Sequence, residues 1–178
     1  KMQSELKRCN NRDWSKNLEK LSRKRYEMIK YQMHCISKYI VDYCVLYNID
    51  TLVIGHNKRW KQENNNKQNF SYIPYELFIN MLKYKCENNG IMGIEIAESY
   101  TSGTSFLDKE DPIKDNYDKS RRVCRGLFRS NWGMKINADV NAAYQIMKKA
   151  IPEALIDGIE GAYLHPTIIN LTEVRSVA

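Results

Sequence analysis

The chain has 178 residues, of which 43% are hydrophobic, enough for one domain or a domain and a half and too apolar for wholesale disorder. Its 28 Lys+Arg against 21 Asp+Glu leave a formal charge of +7, and Tyr and Trp are scattered among the basic residues. That balance favours nucleic acid over a membrane surface, although lysine-rich composition alone is not specific, and no run is apolar enough to span a bilayer or act as a signal segment.

Lys1 rather than Met in first place points to a fragment or a trimmed chain. The five cysteines, Cys9, Cys35, Cys44, Cys86 and Cys124, form no C-x-x-C pair. They argue against a disulfide framework or a zinc ribbon and for reduced, mostly buried thiols in a cytoplasm.

Asn10 to Asn48 reads as a long helix. Leu18, Leu21, Ile29, Met33, Ile36, Ile40, Tyr43 and Tyr47 recur at helical spacing and mark one buried face. Lys16, Lys20, Arg23, Lys24 and Lys30 lie opposite, as a solvated face or as a contact for a phosphate backbone. Asp50-Thr-Leu-Val-Ile-Gly55 is β-branched and ends in glycine, the pattern of a buried parallel strand. The loop that follows, Asn/Gln-rich to Asn69, sits where open α/β sheets place their sites. Lys58, Arg59 and Lys61 around Trp60 suit phosphates and base stacking; a polar surface loop anchored by one Trp is the plainer reading. His56 reads as a structural polar residue.

Pro74 opens a second helix with Leu77, Phe78, Met81 and Leu82, and Gly90 closes it. Ile91 to Glu98 is a second strand, so strand, helix and strand form a βαβ unit with Val53 and Ile94 on parallel neighbours. Glu98 falls at the strand's C-terminal outlet, on the same sheet edge as the loop after Gly55. Glu95, three residues earlier, takes the opposite face and is the weaker ligand candidate.

Ser99 to Asp108 is a small polar loop, and acidic loop continues to Asp118. Arg121 to Arg129 reads as a basic strand and Asn131-Trp-Gly133 as a turn. Ile136-Asn-Ala-Asp-Val-Asn-Ala-Ala-Tyr-Gln-Ile146 then starts a helix rich in small residues, with Asp139 in its first turn. Asp139 is either the N-cap or a metal-facing carboxylate flanked by Asn137 and Asn141, with Ala138, Ala142 and Ala143 leaving room for close approach. From Glu153 onward no motif is apparent.

Glu98 and Asp139 are thus both expected at one edge of one sheet. Carboxylates converging there are how an RNase H-like fold binds two divalent cations, and hard oxygen ligands suit magnesium. Two such ions activate a water and stabilise the leaving oxygen in phosphodiester hydrolysis.

Tyr100-Thr-Ser-Gly-Thr-Ser-Phe-Leu-Asp108, Arg121-Arg-Val-Cys-Arg-Gly-Leu-Phe128 and Ile136-Asn-Ala-Asp-Val-Asn-Ala-Ala-Tyr144 together resemble the C-terminal half of TnpB proteins. These are RNA-guided DNA endonucleases of insertion sequences, related to type V CRISPR effectors and Fanzor proteins. Val53-Ile-Gly-His-Asn-Lys-Arg-Trp-Lys-Gln62 is similar to a segment of one TnpB branch. The resemblance spans roughly residues 10–152, with the Asn-Ala-Asp-Val-Asn-Ala-Ala block its most specific part.

The resemblance implies an α/β fold, the C-terminal portion of an RNase H-like (RuvC) domain with a long helix and a small inserted subdomain. Residues 1–49 would be the helical segment, 50–100 the βαβ core, 101–135 the insertion, 136–152 the final helix and 153–178 a tail. It implies an Asp, Glu, Asp triad holding Mg²⁺, with Mn²⁺ as a substitute, and Asp139 matches the third acid. The first acid would lie on a strand before Lys1, in the remaining N-terminal part of the protein. Gly55 stands where the usual glutamate follows a Val-Ile strand, and Glu98 resembles the relocated glutamate of a sub-branch reading Glu-Ser-Tyr-Thr-Ser. Only Cys124 remains where the family has a zinc ribbon, so zinc is not expected. The implied partners are guide RNA and target DNA, with Arg121, Arg122 and Arg125 of the insertion touching nucleic acid beside Lys58, Arg59, Trp60 and Lys61. The setting is cytoplasmic and nucleoid-associated, or nuclear in a eukaryote. A TnpB derivative that binds without cutting, or a decayed remnant, is the alternative.

Overall fold

The computed structural model describes residues 2–10, 14–57, 73–155, 165–166 and 169–170. Instead of one helix from Asn10, the chain starts with two, α1 (Met2–Asn10) and α2 (Lys16–Leu46). Ser15 starts α2 because its hydroxyl accepts from the Leu18 N–H at 3.1 Å, satisfying one of the free donors of the first turn. Burial on α2 begins only at Met33 and continues through Cys35, Ser37, Val41 and Cys44. Of the expected stripe only Met33 is buried; Leu18, Ile29, Ile36 and Ile40 are half-buried, and Leu21, Tyr43 and Tyr47 are exposed.

The strands β1 (Thr51–His56) and β2 (Met92–Ala97) flank α3 (Tyr75–Asn88). They pair in parallel, with Val53 opposite Ile94 and Gly55 opposite Ile96, as the βαβ reading requires. Pro74 sits at the N-cap of α3, and Asn89 then Gly90, at φ +71°, end it. Val41 and Cys44 of α2 and Cys86 of α3 form one core with Ile91 and Leu52. Lys85 fastens α3 to α2 by donating to the His34 carbonyl at 2.7 Å and the Ser37 hydroxyl at 2.8 Å.

Arg121 to Arg129 is a hairpin rather than one strand: β3 (Arg122–Cys124) and β4 (Leu127–Arg129) pair antiparallel. Gly126 turns the chain between them at φ +81°, a conformation other residues rarely adopt. The Asn131-Trp132-Gly133 turn leads to β5 (Lys135–Asn137), which pairs with β4. Phe128 and Ile136 of this small sheet are fully buried and form a second core with Phe106, Leu107 and Ala138.

Helix α4 (Ala138–Ala150) joins the two cores. One face grips residues 104–111; another lies against the β1–β2 sheet. Among the described residues no helix is long and apolar enough to cross a membrane.

Candidate active site

The start of α4 decides what Asp139 is free to do. Asn137 caps the helix: its side-chain oxygen accepts from the N–H groups of Asp139 at 2.9 Å and Val140 at 3.2 Å. The Asp139 carboxylate is therefore not the cap. It is 86% exposed, with the Arg122 guanidinium 3.7 Å away. Asn141 is not a flank of a metal site either. It is fully buried, accepts from the Phe106 N–H at 2.9 Å and donates to the Thr104 carbonyl at 2.8 Å. The specific Asn-Ala-Asp-Val-Asn block thus divides its work among a helix cap, an exposed carboxylate and a loop clamp.

Glu98 is positioned by the sheet. In the parallel pair Gly55 and Ile96 are opposite, so both face one way, and period two carries Glu98 to the same face. That face meets α4. A Cβ added at Gly55 would stand 2.5 Å from Ile146 Cδ1 and 3.5 Å from Glu98 Oε2. Ile146 takes the space into which a side chain at position 55 would point, and the Glu98 carboxylate borders it. Glycine at 55 lets Ile146 approach.

Glu95 takes the other face, as expected. Its carboxylate lies 2.6 Å from His56 Nδ1 and 3.3 Å from Lys83 Nζ on α3. The hydrogen bond from His56 first, with Lys83 behind it, holds the Glu95 carboxyl below its usual range. His56 is thereby a structural polar residue.

Asp139 and Ile146 are two turns apart on α4 and share one face of it, about 10 Å along the axis. The Ile146 side chain reaches Gly55 and, helical side chains leaning toward the N-terminus, is carried toward Asp139. Glu98 and Asp139 accordingly belong to one side of the sheet, with Ala142 and Ala143 between them along the helix. No hydrogen bond joins them, and among the described residues no group of three or more His, Cys, Asp or Glu side chains converges. Two carboxylates with no third such group beside them fall short of the ligands that a closed divalent-cation site needs.

The basic residues separate. Arg121 is drawn inward, its guanidinium 2.6 Å from Glu110 and 3.7 Å from Asp118, so its charge is committed within the insertion. Arg122 and Arg125 are exposed beside the α4 start, where the Ala138 N–H donates to the Gly126 carbonyl at 3.0 Å. Lys58, Arg59, Trp60 and Lys61 lie outside the described residues.

Residues 75–146 match the Cas12f1-like, TNB domain family model. This part of the chain is thus similar to Cas12f1-like TNB domains. The resemblance to the TnpB and Cas12f-like family, carried by the three motifs, holds. A solved structure, the cryo-EM structure of a Cas12f1–sgRNA–target DNA complex, superposes with a TM-score of 0.61 at 20% identity, over 76% of this chain. The chain spans 38% of the length of that Cas12f1 chain. The likeness is one of fold, a mixed α/β architecture. No curated protein matches the chain.

The matched segment runs from α3 to Ile146, so it contains both acids and the loop that α4 clamps. Sequence reasoning missed the clamp. Glu110, Gln145 and Lys148 meet where the Gln145 amide donates to the Glu110 carbonyl at 3.1 Å and Lys148 donates to the Lys109 carbonyl at 2.8 Å. Only the i, i+4 spacing of Asn141 and Gln145 on one helix face hinted at it.

Proposed function

We propose that this chain is the nuclease portion of an RNA-guided DNA endonuclease with an RNase H-like (RuvC) fold. Glu98 and Asp139 are its two metal-holding carboxylates, and a further carboxylate from outside these 178 residues completes the set. The observation that carries the reading is Glu98 beside Gly55. A glutamate moved one strand over still brings its carboxylate to the place a residue-55 side chain would reach, on the face covered by the helix of Asp139.

Divalent cations, magnesium or manganese, would activate a water and stabilise the leaving oxygen of a DNA phosphodiester. This chain's own residues do the holding. Glu98, partly buried at a strand outlet, is fixed by the sheet. Asp139, left free by the Asn137 cap, is fixed by the helix. Arg122 and Arg125, with Lys58, Arg59, Trp60 and Lys61, bind the nucleic-acid backbone. Guide RNA and target DNA are the proposed partners, since the Cas12f1 of similar fold was solved with sgRNA and target DNA.

The test uses the full-length protein with its guide RNA. Asp139→Ala and Glu98→Ala each reduce cutting by about 10³-fold or more, the effect of removing roughly 4 kcal/mol of transition-state stabilisation, while guide binding stays unchanged. Moving the glutamate back, as Gly55→Glu with Ile146→Ala to clear space and Glu98→Ala, recovers part of the lost rate. A Glu98→Ala protein that cuts at the parental rate would remove Glu98 from the site. Full guide and target binding with no cutting by the parental protein, at any Mg²⁺ or Mn²⁺ concentration, would make it a binder instead.

A further inference from the structure

The backbone on either side of Glu98 is held by a residue the motifs do not include. β2 ends at Ala97, and the last link to β1 is a long one, the Glu98 N–H donating to the His56 carbonyl at 3.4 Å. Beyond it the chain leaves the sheet in a tight turn. The Thr101 N–H and hydroxyl donate to the Glu98 carbonyl at 3.3 Å and 2.8 Å, and Tyr100 takes a left-handed φ of +67°. These bonds hold the turn after Glu98, while the carbonyls of Ala97 and Ser99 on either side of it are left for another partner.

Lys149, in the last turn of α4, is that partner. Its ammonium donates to the Ala97 carbonyl at 2.9 Å, the Ser99 carbonyl at 3.3 Å and the Ser99 hydroxyl at 3.1 Å. Those residues are the immediate neighbours of Glu98. An ammonium has three hydrogens, and three acceptors take them, so none is left for a substrate phosphate. This count decides between two roles for a lysine beside a nuclease site. We infer that Lys149 is a positioning residue that sets the Glu98 carboxylate relative to Asp139, rather than a phosphate-binding residue. The inference rests on the nuclease reading of Glu98 and Asp139 given above.

The helix makes this more than a local clamp. Asp139 stands in the first turn of α4 and Lys149 in the last. The same rigid element carries one acid and grips the backbone of the other, so the separation of the two carboxylates is set by about 15 Å of helix. A carboxylate displaced by an ångström at such a site loses up to about 10²-fold in rate.

The experiment compares Lys149→Met, Lys149→Arg and Glu98→Ala in the full-length protein with guide RNA. Two readings are taken besides cutting: Mn²⁺ binding, from the EPR signal of the free ion, and affinity for guide RNA. Lys149→Met is expected to weaken Mn²⁺ binding by about 10- to 100-fold, as loss of outer support does at metal sites, and to slow single-turnover cutting by a similar factor. Guide affinity stays unchanged, and Lys149→Arg, which can still donate to several carbonyls, recovers much of both. Should Lys149→Met fail to fold, Lys149→Ala, which keeps no donor and suits a helix, takes its place, and a raised Mn²⁺ requirement with unchanged guide affinity supports the same role. Parental Mn²⁺ binding in Lys149→Met, or in Lys149→Ala, overturns the inference when Glu98→Ala has abolished cutting. If Glu98→Ala still cuts, the underlying reading falls and takes this inference with it.

Discussion

The βαβ layer and the segment that runs from the end of β2 through β5 are held together by opposite means. In the layer, Val41, Cys44, Cys86, Ile91 and Leu52 pack α2 and α3 onto β1, and the ladder of β1 and β2 does the rest. In that segment three short strands and a five-residue apolar cluster, shared with the start of α4, are too little alone, and much of the interior is polar. Thr104, Ser105, Asn141 and Gln145 are fully buried there, nearly all of their bonds going to loop backbone. The lesson is that where a fold has long regular elements it can bury methyl groups in registry. Where it has loops, their backbone groups must be paired one by one, since each buried orphan costs about 1–3 kcal/mol.

The sharpest way to break the contrast is to remove the largest fully buried side chain there. Phe128 is 0% exposed on β4, and Phe128→Ala should cost about 3–5 kcal/mol in lost burial and residual cavity. Chemical denaturation followed by circular dichroism would measure it. A cost near 1 kcal/mol would mean that the polar network, not the small apolar cluster, carries the insertion.

A middle-sized effect is expected at Glu110, the hub of that network. Its carboxylate accepts from Arg121 at 2.6 Å, from the Ser105 N–H at 2.9 Å and from the Asn131 amide at 3.1 Å. Burial pushes its pKa up, but Arg121 and the Ser105 N–H outweigh that and hold it below the usual range. A depressed folded pKa gives stability that is present above the unfolded value, about 4.3, and is lost as pH falls through the folded one. Glu110→Gln should therefore cost about 2 kcal/mol at pH 7, from an Arg121 left with only the more distant Asp118, and progressively less on acidification below pH 4. Thermal melts of both proteins from pH 7 to pH 3 test this; a gap between them that stays constant or widens in acid would exclude Glu110 as the charged hub.

These differences also explain what could be read from the sequence. The βαβ unit was legible because β-branched runs, a Pro-led helix and a closing glycine state their own periods, and the Val53–Ile94 register followed. The opposite faces of Glu95 and Glu98 were legible too, since period two is geometry. The outward N-terminal half of α2 was not. Leu18 and Leu21 give the amphipathic period of a buried stripe, but periodicity names a face and not its partner. The β3–β4 hairpin was hidden because its strands are three residues long and only Gly126 marks the turn. Arg121 reads as a free cation until Glu110, eleven residues away through a loop, is seen to hold it. Lys149 was invisible in the same way: a lysine in a helix's last turn is ordinary, and its three acceptors lie some fifty residues back.

The smallest predicted effect concerns the point where the two regions meet. Asn137 ends β5 and caps α4, so one side chain closes the insertion's sheet and opens the helix that crosses the βαβ layer. Asn137→Ala removes two hydrogen bonds to first-turn N–H groups and should cost about 1 kcal/mol. Asn137→Asp keeps an acceptor at the positive end of the helix and should be close to neutral in stability. It also sets a second carboxylate two residues from Asp139, in competition for the same helix-end charge. The pair of variants therefore separates two duties. If Asn137 is only a cap, Ala lowers stability and Asp does not. If capping is what keeps Asp139 free, Ala lets the Asp139 carboxylate fold back onto the vacated N–H groups, and Asn137→Ala recovers part of its expected loss. An apparent cost well under 0.5 kcal/mol for Asn137→Ala, restored to about 1 kcal/mol in an Asp139→Ala background, would identify that rescue; additive costs would exclude it.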